Sequence, residues 1–169
     1  MPRRFQMAAA VLAGLFAFSP LTPIGASPAV PGKAQLELTT LSSNQLMARG
    51  LMAFNARDYA AARDHFRLLA QRDNATAETL LGTMTAKGQG GERNEAVAAA
   101  WFLRAARRGY APAQLALADA FARGKGVPQD KARARALAKA AASQGQPGAA
   151  QLASRLGPER YAMLTGGRP

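Results

Sequence analysis

Residues 75–110 read ATAETLLGTMTAKGQGGERNEAVAAAWFLRAARRGY, and residues 111–146 read APAQLALADAFARGKGVPQDKARARALAKAAASQGQ. Set one above the other, they pair Ala77 with Ala113, Gly88 with Gly124, Gly90 with Gly126 and Asn94 with Asp130. Ala98 with Ala134, Phe102 with Ala138, Ala105 with Ala141 and Gly109 with Gly145 follow at the same step of 36 residues. The step runs backward to Asp58, Ala62, Phe66 and Leu69, and forward from Ala113 to Ala149. Self-similarity at such a period is the signature of a stacked repeat architecture.

Each recurring residue has a mechanical meaning. Asp58, Asn94 and Asp130 carry side-chain oxygens able to accept from the unpaired N–H groups at a helix start, so each is expected to N-cap a helix. The Ala, Phe and Leu positions follow that cap at +4, +8 and +11, one stripe of a helix. Gly88 and Gly124 end the preceding helix, and Gly109 and Gly145 end the second one. The unit is a helix, a glycine-rich loop, a second helix and a glycine turn. The chain's 41 alanines let such helices approach at the short end of the usual interaxial range. Trp101, Phe66, Phe102 and Phe121 are expected to fill what space remains.

These units resemble the Sel-one-like repeat (SLR) family, a relative of the tetratricopeptide repeats. The resemblance rests on Ala113, Leu117, Ala118, Phe121, Gly124, Gly126, Val127, Pro128, Asp130, Ala134, Leu137, Ala141, Ala142 and Gly145. One unit earlier it rests on Ala77, Leu81, Gly82, Gly88, Gly90, Asn94, Ala98, Trp101, Phe102, Ala105, Ala106 and Gly109. That unit departs from the family at Thr85, where tyrosine is usual, and at Gly91, where valine is usual; the second departure is expected to loosen its loop. Residues 44–74 look like a plain tetratricopeptide hairpin: Gly50 precedes Ala62 by 12 residues, whereas Gly82 precedes Ala98, and Ala118 precedes Ala134, by 16. Residues 75–110 and 111–146 read as two SLR-like units, and 147–164 as a partial unit whose Tyr161 and Leu164 are expected to cap the last apolar face. Residues 165–169 are expected to be a tail.

The resemblance implies an all-α fold, a right-handed superhelical α-solenoid of stacked helical hairpins. In the related families partners lie in the concave groove, contacted from set positions of each first helix. Carried over, those positions are Asn44, Met47, Leu51 and Asn55, then Thr76, Thr79, Thr83 and Lys87, then Leu115, Asp119 and Arg123.

Upstream, Arg3 and Arg4 precede an uncharged apolar run from Met7 to Phe18, followed by Pro20, Pro23, Gly25 and small residues at Ala26 and Ala29. This is the pattern of an export signal, residues 1–26, with cleavage after Ala26 or, second, after Ala29. The run is too short for a membrane span. Residues 27–43, with Pro28, Pro31 and Gly32, read as a flexible linker. The mature chain is expected in the periplasm or secreted.

No cysteine is present and histidine occurs once, which excludes thiol chemistry, disulfides and a multi-histidine metal site. His65 beside Asp64 has no nucleophile and orienting acid to complete a constellation. Glu92 and Glu95 are the one close pair of acids, and Gly88–Gly91 neither follows a strand nor carries a Gly-Lys-Ser/Thr element. Cysteine-rich SLR members linked to β-lactams are matched here by neither cysteines nor a Ser-x-x-Lys motif. The chain is therefore expected to be no enzyme and to take no cofactor or metal. Its net charge of +12 speaks to partners rather than fold. Lys131, Arg135 and Lys139 form a basic stripe on an outer face, and Arg104, Arg107 and Arg108 a second cluster. A protein or peptide partner is expected, with anionic polysaccharide or lipid headgroups as the alternative, the SLR proteins of exopolysaccharide export being one reason. Nucleic acid is not expected, since no stacking aromatics interleave with the arginines.

Overall fold

The computed structural model describes residues 39–157. The expected export signal, most of the expected linker, the cap residues Tyr161 and Leu164, and the tail lie outside the described residues. Those described hold the helices α1 Ser43–Asn55, α2 Tyr59–Gln71, α3 Ala75–Lys87, α4 Glu95–Arg107, α5 Ala111–Arg123, α6 Lys131–Ser143 and α7 Ala149–Arg155, and no strand.

The helix starts follow the expected chemistry. Asp58, Asn94 and Asp130 accept from the backbone N–H of Ala61, Val97 and Arg133 at 3.1, 2.9 and 2.9 Å. Asn74 does the same for Ala77, and Ser42 forms a reciprocal capping box with Gln45. At α5 the preceding Tyr110 supplies no side-chain bond, and Pro112 in the first turn takes over by presetting φ.

Helices pack chiefly on their sequence neighbours, α1 on α2, α3 on α4 and α5 on α6 within hairpins, with α2–α3, α4–α5 and α6–α7 joining them. α3 also reaches α5, a contact between successive first helices that no pair of successive second helices matches. Between these two hairpins the first helices therefore lie inside the curve, and the stack is a solenoid of paired helices.

Its core changes character along the axis. Leu46, Phe66, Leu69, Leu81 and Met84 are fully or almost fully buried around the first hairpin, each worth about 1.5–3 kcal/mol. At the far end Ala118, Ala138 and Ala153 do the same duty with single methyls. Size is matched across the hairpins. A Cβ on Gly50 would lie 2.6 Å from the Phe66 ring, and one on Gly82 2.5 Å from the Phe102 ring. One repeat later the glycine becomes Ala118 and the phenylalanine becomes Ala138, both fully buried.

The longer loops of the later hairpins have a seat. Gly90 lies against the first residue of α2, where a Cβ would stand 2.6 Å from the Tyr59 carbonyl oxygen. Gly126 lies against the first residue of α4, and its Cβ would fall inside contact distance of the Glu95 carbonyl. Both have left-handed φ, +72° and +69°, so glycine is required on two counts. The loop around Gly91 is not loosened as the sequence suggests. Arg63 extends beside it, its guanidinium within 3.9 Å of a Cβ there, and donates to the Gln89 carbonyl at 3.3 Å. Burial, and then the nearby Arg67, lower the Arg63 pKa.

The first end of the stack is closed by polar substitution. Ala77 and Leu81 of α3 are buried against the preceding hairpin, whereas Gln45 and Arg49, at the same register of α1, are exposed. Polar outer faces of this kind let a terminal repeat meet water. The end of the expected linker is held rather than free: Arg72 donates to the carbonyls of Leu41 at 2.7 Å and Thr39 at 2.8 Å.

Candidate functional site: the first-helix face

Along the inner face the carried-over positions form rows, but their surroundings differ from hairpin to hairpin. On α1, Asn44, Leu51 and Asn55 are exposed, while Met47 is half-buried against the first core. On α3, Thr76, Thr79 and Thr83 are half-buried and Lys87 is exposed. The Thr79 and Thr83 hydroxyls donate to the carbonyls of Ala75 and Thr79 at 2.8 and 3.0 Å. Each keeps lone pairs to accept from a ligand.

On α5, Leu115 and Asp119 are half-buried, and Asp119 accepts from Arg123 Nε at 2.7 Å. Here the face opens into a cleft of about 400 Å³ between α5 and α7. Pro112, Leu115, Ala116, Asp119 and Arg123 line one side, and Gly148, Leu152 and Arg155 the other. Sequence reasoning placed Leu115, Asp119 and Arg123 here but missed Pro112, Leu152 and Arg155. The period held the signal, since Leu152 and Arg155 follow Ala116 and Asp119 by 36 residues.

Two basic features are rearranged. Arg104 and Arg108 do not stand free. Arg104 Nε donates to Glu78 at 2.6 Å, and Arg108 Nη1 to both Glu78 oxygens at 3.0 and 3.1 Å. Both also reach Asp73, and Arg104 bonds the Ala70 carbonyl. Glu78 is fully buried, so the group is a clamp between α3 and α4. Asp73 holds φ +60° at the turn position filled by Gly109 and Gly145 in later units, a conformation Asp tolerates better than most residues. The clamp recurs in neutral form one repeat on, where Gln144 donates to Gln114 at 2.9 Å.

The Lys131–Arg135–Lys139 stripe is the second rearrangement. Lys131 and Lys139 are exposed, but Arg135 is half-buried with its Nε out of reach of water. Partial burial of a long cationic side chain is common, and here it divides the stripe. On α4, Val97 and Leu103 stand exposed at 44% and 38%, and Leu103 lines a surface with Arg107. His65 is half-buried on α2, with Nδ1 2.6 Å from the Ala61 carbonyl oxygen. Among the described residues six of eight Asp and Glu are in ion pairs, whereas eleven of seventeen Lys and Arg are in none. The positive surplus is therefore carried on the surface.

Comparison with known proteins identifies the repeats. The Sel1 repeat model matches residues 75–110 and 111–146. The chain carries two Sel1 repeats. It is similar to the crystal structure of a Sel1 repeat protein from Oxalobacter formigenes, at 30% identity and a TM-score of 0.61. That match covers 63% of this chain and 44% of the other. It is also similar to a protective antigen of uropathogenic Escherichia coli strains with an SLR fold, at 32% identity and a TM-score of 0.64, over 76% of this chain and 28% of that one. The chain thus spans less than half the length of either. No curated protein matches it. Sel1 repeats generally mediate protein–protein interaction and are generally non-catalytic.

Proposed function

We propose that this chain is an exported, non-enzymatic adaptor of the cell envelope that holds a protein or peptide along its first-helix face. The observation that carries this reading is the inner face itself: rows of Leu, Thr, Asn and Asp side chains on α1, α3 and α5 that end in an apolar cleft. Such a line of alternating character suits an extended peptide, whose backbone needs hydrogen-bonding groups and whose side chains need pockets. The leader pattern of residues 1–26 supports the location. The outer stripe on α6, divided at Arg135, is the weaker candidate for an anionic polysaccharide or lipid surface.

Substituting Asn55, Thr83 and Asp119 together by alanine tests the reading. These side chains are exposed or half-buried, and surface changes of this kind alter stability by about 0.5 kcal/mol each. The triple variant is expected to keep its cooperative thermal unfolding and to lose a partner that the unaltered chain retains on an affinity column. Retention of that partner by the folded triple variant removes the groove from the account.

A further inference from the structure

We infer that the cleft between α5 and α7 takes an acidic peptide segment, with an apolar side chain of the peptide on Pro112, Leu115 and Leu152 and its carboxylates on Arg123 and Arg155. The inference rests on the groove reading above and names its ligand.

The cleft divides by chemistry. Its floor is hydrocarbon from Pro112, Leu115, Ala116 and Leu152, and its charged groups are Asp119, Arg123 and Arg155. Asp119 engages Arg123 through Nε, so the one acid of the cleft is already met by one of its two cations. Arg155 is exposed and in no ion pair among the described residues. Arg123 and Arg155 both stand in the last turn of their helices, and exposed Lys87 holds the Arg123 register on α3. Each of three successive first helices, α3, α5 and α7, thus ends on a cation. A planar guanidinium presents paired donors that match a carboxylate.

The shape decides among anionic partners. A concave cleft of about 400 Å³ lies in the size range of sites that enclose small groups and cannot lie flat on a bilayer. It has no aromatic side chain on which a base could stack. A carboxylate-bearing chain with an apolar residue uses both the floor and the arginines.

Fluorescence anisotropy with the full chain tests this. The probe is a fluorescein-labelled peptide, Glu-Glu-Leu-Glu-Asp-Leu-Glu-Glu. Two control peptides carry lysine for every acid or serine for every leucine. The acidic leucine peptide is expected to bind about tenfold tighter than either control, and Arg155→Glu to weaken it by about tenfold. The double variant Lys131→Glu/Lys139→Glu, a larger change of net charge on the other face, is expected to bind as the unaltered chain does. Equal binding of the lysine peptide, indifference to Arg155→Glu, or an equal loss in the α6 variant each overturns the inference. If the acidic peptide fails while the Asn55, Thr83 and Asp119 substitutions still release a partner, the ligand chemistry is wrong and the groove reading stands. If those substitutions also release nothing, both fall.

Discussion

Gly126→Ala is expected to destabilise the chain by about 3 kcal/mol, combining the cost of a left-handed alanine with that of overpacking. The added methyl meets the backbone of Glu95, which starts α4 and cannot turn aside as a flexible side chain could. Gly109→Ala is the matched control. Its φ of +80° is equally left-handed, but nothing lies within 4 Å of the added methyl. It is expected to cost about 1–2 kcal/mol, the conformational part alone. Urea unfolding of the two variants separates the terms, and equal losses would show that the loop does not seat on the preceding helix. Because each hairpin depends on its neighbours, the damage in Gly126→Ala should fall on α5, α6 and α7.

The second large effect concerns the buried acid. Replacing Arg104 and Arg108 together by alanine leaves the Glu78 carboxylate buried with no cationic partner, at an expected cost of about 3–5 kcal/mol. Adding Glu78→Leu to that double variant is expected to restore most of the loss. The first hairpin already shows this solution, since Leu46 occupies the same register and is fully buried. Thermal unfolding of the double and triple variants measures the difference. A triple variant no more stable than the double would mean that Glu78 is not what the arginines serve.

The hairpin stack was legible because its signals are local and recur. The caps at Asp58, Asn94 and Asp130, the αL glycines at 88 and 124, and the apolar stripe each depend on a few neighbouring residues and reappear at one step. What the sequence hid are contacts between residues about thirty apart. Arg104 and Arg108 read as a free cationic cluster because Glu78 belongs to another helix. Register could have exposed the pair, since Glu78 and Arg108 become Gln114 and Gln144 one repeat later and still bond. Gly91 read as a loosened loop because its filler, Arg63, comes from the hairpin before.

The inner face was legible only in part. Periodicity gives the positions that point inward, but their chemistry depends on what stands opposite. Leu115 reads as an isolated apolar group until Leu152 is seen across the cleft. Arg135 looked like its lysine neighbours because helix spacing says nothing of how far a stem is covered.

The central claim is that partners are met on the first helices. It is tested most directly by placing a photocrosslinking amino acid, one position at a time, at Leu51, Thr83 and Leu115 on the inner face and at Arg67, Ala100 and Lys139 on the outer face. Irradiation in the producing cell is expected to give one discrete adduct from the inner positions and none from the outer. An adduct from the outer positions with none from the inner would contradict it.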